Sequence, residues 1–338
     1  MHPPSRLFCT AALAAVLALA QSTAPPKPQA QPLGQPPGQA PAQSSGQQSD
    51  EAPTFTAGTK LVALQVTVTD KNGKLVTNVP QSAFKVYENN VEQPIKLFKR
   101  EDVPVSMGII IDNSGSMRES RAKVAAASIA LVKASNPEDE EFVVNFNDDA
   151  FLDQPFTNNV KKLEVALDRI DSRGGTAMRD AISMSIDYTK QHGKHDKRVL
   201  MVVTDGYDNA SSISEEDLVR KAQQSEVLIY CIGLLSDEDP REGRKAKRQL
   251  SELTAASGGM AYYPKDLLEV DRITPEVAQE IRSQYIIGYS PLNNVLDGSY
   301  RRIRVAVNGY GHPNVRTRSG YFATPEAKKT LKPPSSDN

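Results

Sequence analysis

The stretch VSMGIIIDNSGSM, residues 105–117, decides how the rest of the chain is read. Its apolar run, Met107 to Ile111, ends at Asp112, and Asn113, Ser114, Gly115 and Ser116 follow before a helical pattern begins. A short continuous apolar run bounded by turn residues is the mark of a fully buried strand. This one delivers a carboxylate and two hydroxyls into a tight turn at the carboxyl end of a sheet, the edge where open α/β sheets bind ligands. Oxygens at alternate residues, Asp112, Ser114 and Ser116, can converge on one point if the turn wraps around it. All-oxygen coordination suits a hard cation such as Mg²⁺. Because two of these three groups are neutral, a divalent ion held this way keeps positive charge and open positions.

Working outward toward the carboxyl terminus, strands and helices alternate, which implies right-handed crossovers and a mostly parallel sheet. Strands are expected at 105–111, 141–146, 198–204, 226–234 and 259–263, with a short edge strand near Ala150–Phe151. Helices are expected at 119–134, 161–170, from the glycine loop Arg173–Thr176 to His192, from Ser214 with Asp217 as a capping pair, at 243–257 and at 266–283. The strand RVLMVVT, residues 198–204, ends at Asp205-Gly206, as the first ended at Asp112. The basic helix at 243–257 reads as a solvated face.

Both flanks are β in character. Residues 60–69, 83–88 and 95–99 read as three strands with turns at Asp70–Gly73 and Glu88–Asn90, and 284–290, 301–307 and 315–321 as three more. Either set alone is marginal. The expectation is that 55–103 and 284–324 pair into one small antiparallel β unit around an inserted domain at 104–283; two independent β appendages is the competing arrangement.

At the amino end, Arg6 precedes an apolar run from Leu7 to Ala20 ending in Ala18-Leu19-Ala20, so residues 1–20 read as a signal peptide. Residues 21–54 are rich in Pro, Gln, Ala, Gly and Ser and read as a disordered spacer, and 325–338 as a disordered tail. The mature chain is then expected to be exported, periplasmic or extracellular, with no transmembrane segment. Cys231, inside an apolar run, reads as a core residue. Hydrophobic residues make up 39% and charged residues 24% of the chain, ordinary for a soluble globular protein, and a formal net charge of -1 removes the electrostatic case for nucleic acid.

The D-x-S-x-S stretch at 112–116, the Gly175-Thr176 loop and Thr204-Asp205-Gly206 together resemble the von Willebrand factor type A (VWA) domain with its metal-ion-dependent adhesion site. The flanking strands, with Gly288-Tyr289 and Arg318-Ser319-Gly320-Tyr321, are similar to a VWFA-related domain family described from acidobacterial genomes. The first resemblance implies a doubly wound, Rossmann-like α/β sheet flanked by helices. It also implies a metal set of Asp112, Ser114, Ser116, Thr176 and Asp205, loaded with Mg²⁺, Mn²⁺ and Ca²⁺ being alternatives, and a protein partner that completes the coordination with an Asp or Glu carboxylate. Without the metal, the same residues could serve as helix caps and turn formers. Asp208 and Asn209 read as turn formers.

No catalytic constellation accompanies this set. A haloacid-dehalogenase phosphatase needs a second Asp where Ser114 stands, and no His among the four is tied by sequence to a nucleophile. The chain is expected to be a binding protein and not an enzyme. A structural scaffold whose metal only stabilises the fold is the alternative, and a metal-dependent hydrolase a more remote one.

Overall fold

The computed structural model describes residues 61–100, 102–169, 172–235 and 240–325. The chain divides into two units, Met1–Phe55 and Thr56–Asn338. All described residues belong to the second; the stretches expected as signal peptide, spacer and, but for residue 325, tail lie outside them. In chain order the strands and helices are β1 Val62–Thr69, β2 Phe84–Glu88, β3 Val91–Gln93, β4 Ile95–Lys99, β5 Val105–Asp112, α1 Arg121–Lys133, β6 Glu140–Phe146, β7 Ala150–Thr157, α2 Val160–Leu167 and α3 Met178–His192. They continue with β8 Lys197–Thr204, α4 Glu215–Ser225, β9 Leu228–Gly233, α5 Pro240–Ser257, β10 Ala261–Tyr262, α6 Leu267–Arg282, β11 Tyr285–Tyr289, β12 Tyr300–Val307, β13 Asn314–Arg316 and β14 Gly320–Phe322.

The centre is a six-stranded sheet in the order β10-β9-β8-β5-β6-β7, parallel except for β7. Its inner strands are apolar on both faces because both are covered. Ile109 and Ile111 point to one side, where Val124 and Leu131 of α1, Leu163 of α2 and Val270, Ile273 and Val277 of α6 form a core. Ile110 points to the other, against Ile182 of α3, Leu218 of α4 and Leu250 of α5. Between them, Gly108 lets a ring cross the sheet face: a Cβ there would lie 2.3 Å from Phe142. The α/β, doubly wound architecture is therefore present. Its strand order reverses at β5, which pairs with β8 on one side and β6 on the other, and a crevice opens at their carboxyl ends.

The flanking strands form two four-stranded antiparallel sheets, β13-β1-β11-β4 and β14-β12-β2-β3. In the first, strands from before and after the α/β body interleave, with β1 between β11 and β13; in the second, the later pair β14-β12 joins the earlier pair β2-β3 through β12 and β2. One apolar core, including Leu64, Val66, Phe84, Val86, Ile287, Tyr289 and Val305, joins the sheets as a sandwich. Neither half has a core without the other. Inside it, buried Glu88 accepts the Tyr289 and Tyr321 hydroxyls at 2.8 and 2.9 Å and faces Arg301 at 3.6 Å.

Three local expectations are corrected. The turn at Asn89-Asn90, with φ of 47° and 68°, closes a hairpin onto an additional strand, β3, and β4 then crosses to the other sheet. Two successive positive φ values are what a type I′ hairpin turn requires. The single strand expected over 315–321 is two, because the chain passes from one sheet to the other at Thr317–Ser319. The short edge strand expected at Ala150–Phe151 runs on to Thr157; register shifts opposite Glu141 to Val144 blur its alternation, and an edge strand tolerates Pro155.

The sandwich meets the α/β body through a polar joint. Glu280 of α6 accepts the Tyr230 hydroxyl at 2.6 Å and the Tyr262 and Thr67 hydroxyls at 3.4 Å, and pairs with Arg316. Gln284 bonds Thr67 and Tyr230 at 3.1 and 3.2 Å.

Candidate metal centre

The five residues singled out in the sequence come from three loops above the β5/β8 crevice. Asp112, at the end of β5, is fully buried. One of its oxygens closes an Asx turn by accepting the Ser114 N–H at 2.8 Å, and the other accepts the Thr204 hydroxyl at 2.5 Å. Ser114 and Ser116 hydroxyls lie 3.1 Å apart, and Ser116 donates to Asp205 Oδ1 at 2.9 Å. The hydroxyl of Thr176 faces the same loop: a Cβ on Gly206 would sit 3.7 Å from it.

The loops are pinned to one another by backbone. Gly115 N–H donates to Gly174 O at 3.3 Å and Arg173 N–H to Asn113 O at 3.0 Å, with Gly174 at a φ of 71° that favours glycine. Thr176 is held on three sides: Asn209 Oδ1 accepts its N–H at 2.9 Å, and the Asn209 and Ala210 N–H groups donate to its carbonyl at 3.1 and 3.3 Å. Beneath the first loop lies Arg121, fully buried, donating to Asn113 Oδ1 at 3.0 Å, Asn145 Oδ1 at 2.9 Å and Arg169 O at 3.3 Å.

The capping alternative does not describe these groups. The N-caps of α1 and α3 are Ser120 and Ala177, and neither makes a side-chain cap bond; a 3₁₀ turn at Ser116–Arg118 separates the motif from α1. Asp208, by contrast, is structural. It is buried and accepts from Arg179 N–H at 2.7 Å, the Arg179 side chain at 3.2 Å and Ser211 N–H at 3.1 Å, which fixes the start of α3.

Burial pushes the Asp112 carboxyl up to about 6, against its bonds to Ser114 and Thr204, with the charge of Asp205 adding to the rise. Burial also raises Asp205. Among the described residues no group of three or more His, Cys, Asp and Glu side chains is placed to hold a metal. The donor set here is of another kind, two carboxylates and three hydroxyls. It fits a hard dication: every donor is oxygen, the two carboxylates balance the charge, and the desolvation that raises both is what a bound cation would offset.

Two contributors were missed in the sequence. Thr204 stands in the sequence as the end of a strand and as part of the Thr204-Asp205-Gly206 match, with no role of its own, although a hydroxyl ending a buried apolar run has to find a buried partner. Arg121 sits at the start of a helix whose buried positions, 124, 127, 128 and 131, recur at spacings of three and four, and it falls on that face.

Residues 107–207 match the family model of the von Willebrand factor type A domain. That span runs from β5 to just past β8 and takes in all five candidate ligands. A curated relative, an uncharacterized protein of Borreliella burgdorferi, is 25% identical over 211 residues, 61% of this chain; the match spans only 60% of the relative's own length. Among solved structures, the von Willebrand factor type A protein from Catenulispora acidiphila is 13% identical over 79% of this chain and 75% of its own, with a TM-score of 0.46. An aerotolerance-related membrane protein from Bacteroides fragilis is 20% identical over 52% and 98%, with a TM-score of 0.44. The proximal thread matrix protein 1 of the mussel byssus, solved with a zinc-occupied MIDAS motif, is 15% identical over 56% and 48%, with a TM-score of 0.45.

Proposed function

We propose that this chain is a non-catalytic binding protein that holds Mg²⁺ through Ser114, Ser116, Thr176, Asp112 and Asp205 and captures an Asp or Glu carboxylate of a protein partner there. The observation that carries this is the chain of contacts from Thr204 to Asp112 and from Ser114 through Ser116 to Asp205, which assembles oxygen donors from separate loops at the mouth of the crevice. A hard dication takes six or more oxygens, so five donors leave a coordination position open, and an anionic oxygen is a favoured ligand there. His195 lies by Ser106 at the opposite end of β5, and the His192 ring packs tilted against Tyr188 with centres 4.6 Å apart, so neither imidazole stands at the metal centre. Export fits the leader-like amino end, and among the described residues no helix is long and apolar enough to cross a membrane.

The test is a capture from envelope and supernatant fractions with the full chain, with Mg²⁺, with EDTA, and with Asp112→Ala. A partner retained by the first and lost from both others supports the proposal. Retention in EDTA assigns the partner to another surface and leaves the ion, at most, a structural role.

A further inference from the structure

Beside the metal centre, past β9, lies a concavity of about 480 Å³ lined by Gly233, Leu235, Arg244, Lys247, Tyr263 and Lys265 together with neighbouring glycine and proline. Two contacts place it next to the Asp205 loop. The Leu234 N–H donates to Thr204 O at 2.8 Å, and Lys245 of α5 rests its ammonium 3.9 Å from the ring centre of Tyr207, two residues after Asp205. Its floor is built. Tyr263 lies across the end of β9, with its hydroxyl bonded to Lys247 O at 2.8 Å and Ser251 Oγ at 2.7 Å, and a Cβ on Gly233 would come within 3.1 Å of that ring.

The walls carry positive charge, and only Lys247 has a local partner, the face of the Tyr263 ring, whose centre lies 4.9 Å from its ammonium. Arg244, Lys247 and Lys265 are exposed, and among the described residues their charged ends pair with no carboxylate. The other flank of the metal centre is the reverse. There Asp148 accepts the Gly175 N–H, Asp180 the N–H groups of Ser212 and Ile213, and Asp208 those of Arg179 and Ser211, so each anion is spent on loop structure.

We propose that this concavity is a second anionic subsite, which takes a further carboxylate of the same acidic partner segment whose first carboxylate meets the Asp112 centre. The inference rests on the carboxylate-capture reading of that centre. Parallel strands lie about 4.8 Å apart, so a pocket past β9 is about 10 Å from the end of β8, and an extended peptide covers that in about three residues. Side chains alternate faces along an extended peptide, so two carboxylates that share a face and lie at least that far apart are four positions apart, separated by three others. Coupling two weak sites through a short linker raises affinity without new contacts at either, and cations at the rim of a binding face set orientation and partner choice.

The test uses fluorescent Gly/Ser peptides with one Glu, or with two Glu four positions apart, titrated into the full chain in saturating Mg²⁺ by polarization. The paired peptide is expected to bind about tenfold tighter. Arg244→Gln/Lys247→Gln/Lys265→Gln should remove that advantage while calorimetric Mg²⁺ uptake is unchanged. EDTA should abolish binding of the single-Glu peptide. If the triple variant keeps the full preference, the subsite is overturned and the metal reading stands. If EDTA leaves both peptides bound, the metal reading fails instead. If a preference emerges only after Asp237→Asn/Glu238→Gln/Asp239→Asn, the chain's own acidic triplet is the occupant and the proposal is overturned.

Discussion

The Thr204 hydroxyl donates to Asp112 Oδ2 at 2.5 Å, tying the carboxyl ends of the two strands that frame the crevice. Both residues are fully buried, so the bond has no competition from water. It leaves Asp112 turned toward the Ser114 N–H on its other oxygen, and Thr204 Oγ1 in turn accepts the Gly206 N–H at 3.3 Å. One hydroxyl thus sets the position of both carboxylate-bearing loops.

Replacing Thr204 by Val keeps the β-branched shape and removes the donor. An unsatisfied buried group costs about 1–3 kcal/mol, so divalent cation affinity should fall about 10- to 100-fold, and Thr204→Ser should restore most of it. Calorimetry on the two variants checks this; equal affinity in Thr204→Val would show that the bond is incidental.

Proton competition at Asp112 sets the acid limit of cation uptake. With its carboxyl held at about 6, affinity should be flat above that pH and fall about tenfold per unit below it, because protonation and metal binding exclude each other. A calorimetric pH series measures it, and constant affinity down to pH 5 would contradict the assignment.

Stability of the metal-free protein should fall as pH rises from 5 to 7.5. Glu141 is pushed up to about 7, chiefly by burial. The folded state then holds a proton that the unfolded state releases near 4.5, so the stabilisation present at acid pH is lost as pH climbs through 7. Thermal melts in EDTA should show Tm dropping across that window, and Glu141→Gln should flatten the drop.

Glu280 is the joint between body and sandwich. Glu280→Ala leaves the Arg316 guanidinium and the Tyr230 hydroxyl without their buried acceptor, a change that costs about 3–5 kcal/mol, whereas Glu280→Gln keeps an acceptor and should lose less. Chemical denaturation compares them. A mild effect of the alanine variant would mean that apolar packing alone holds the joint.

The sequence was most informative where one physical rule acted alone. Met107 to Ile111 and Val199 to Val203 are apolar on both faces because helices cover both, and that burial is written in every residue. Asp112, Ser114, Ser116 and Asp205 were legible because polar groups following such strands stand at a sheet edge, whereas Thr176, in a loop between two helices, was legible only through the family resemblance. The crossing at Thr317–Ser319 was not, since a run that changes sheets has the same composition as one that does not. Thr204 and Arg121 were missed for a related reason: their roles depend on partners 92 and up to 48 residues away, and no local pattern carries that distance.

The measurement that bears most directly on the central claim is isothermal titration of Mg²⁺ into the full chain and into Asp205→Ala, with folding of both verified by circular dichroism. Saturable uptake of a single ion by the native chain, lost in the variant, is the expected result. Absence of uptake by the folded native chain, or equal uptake by both, would contradict it.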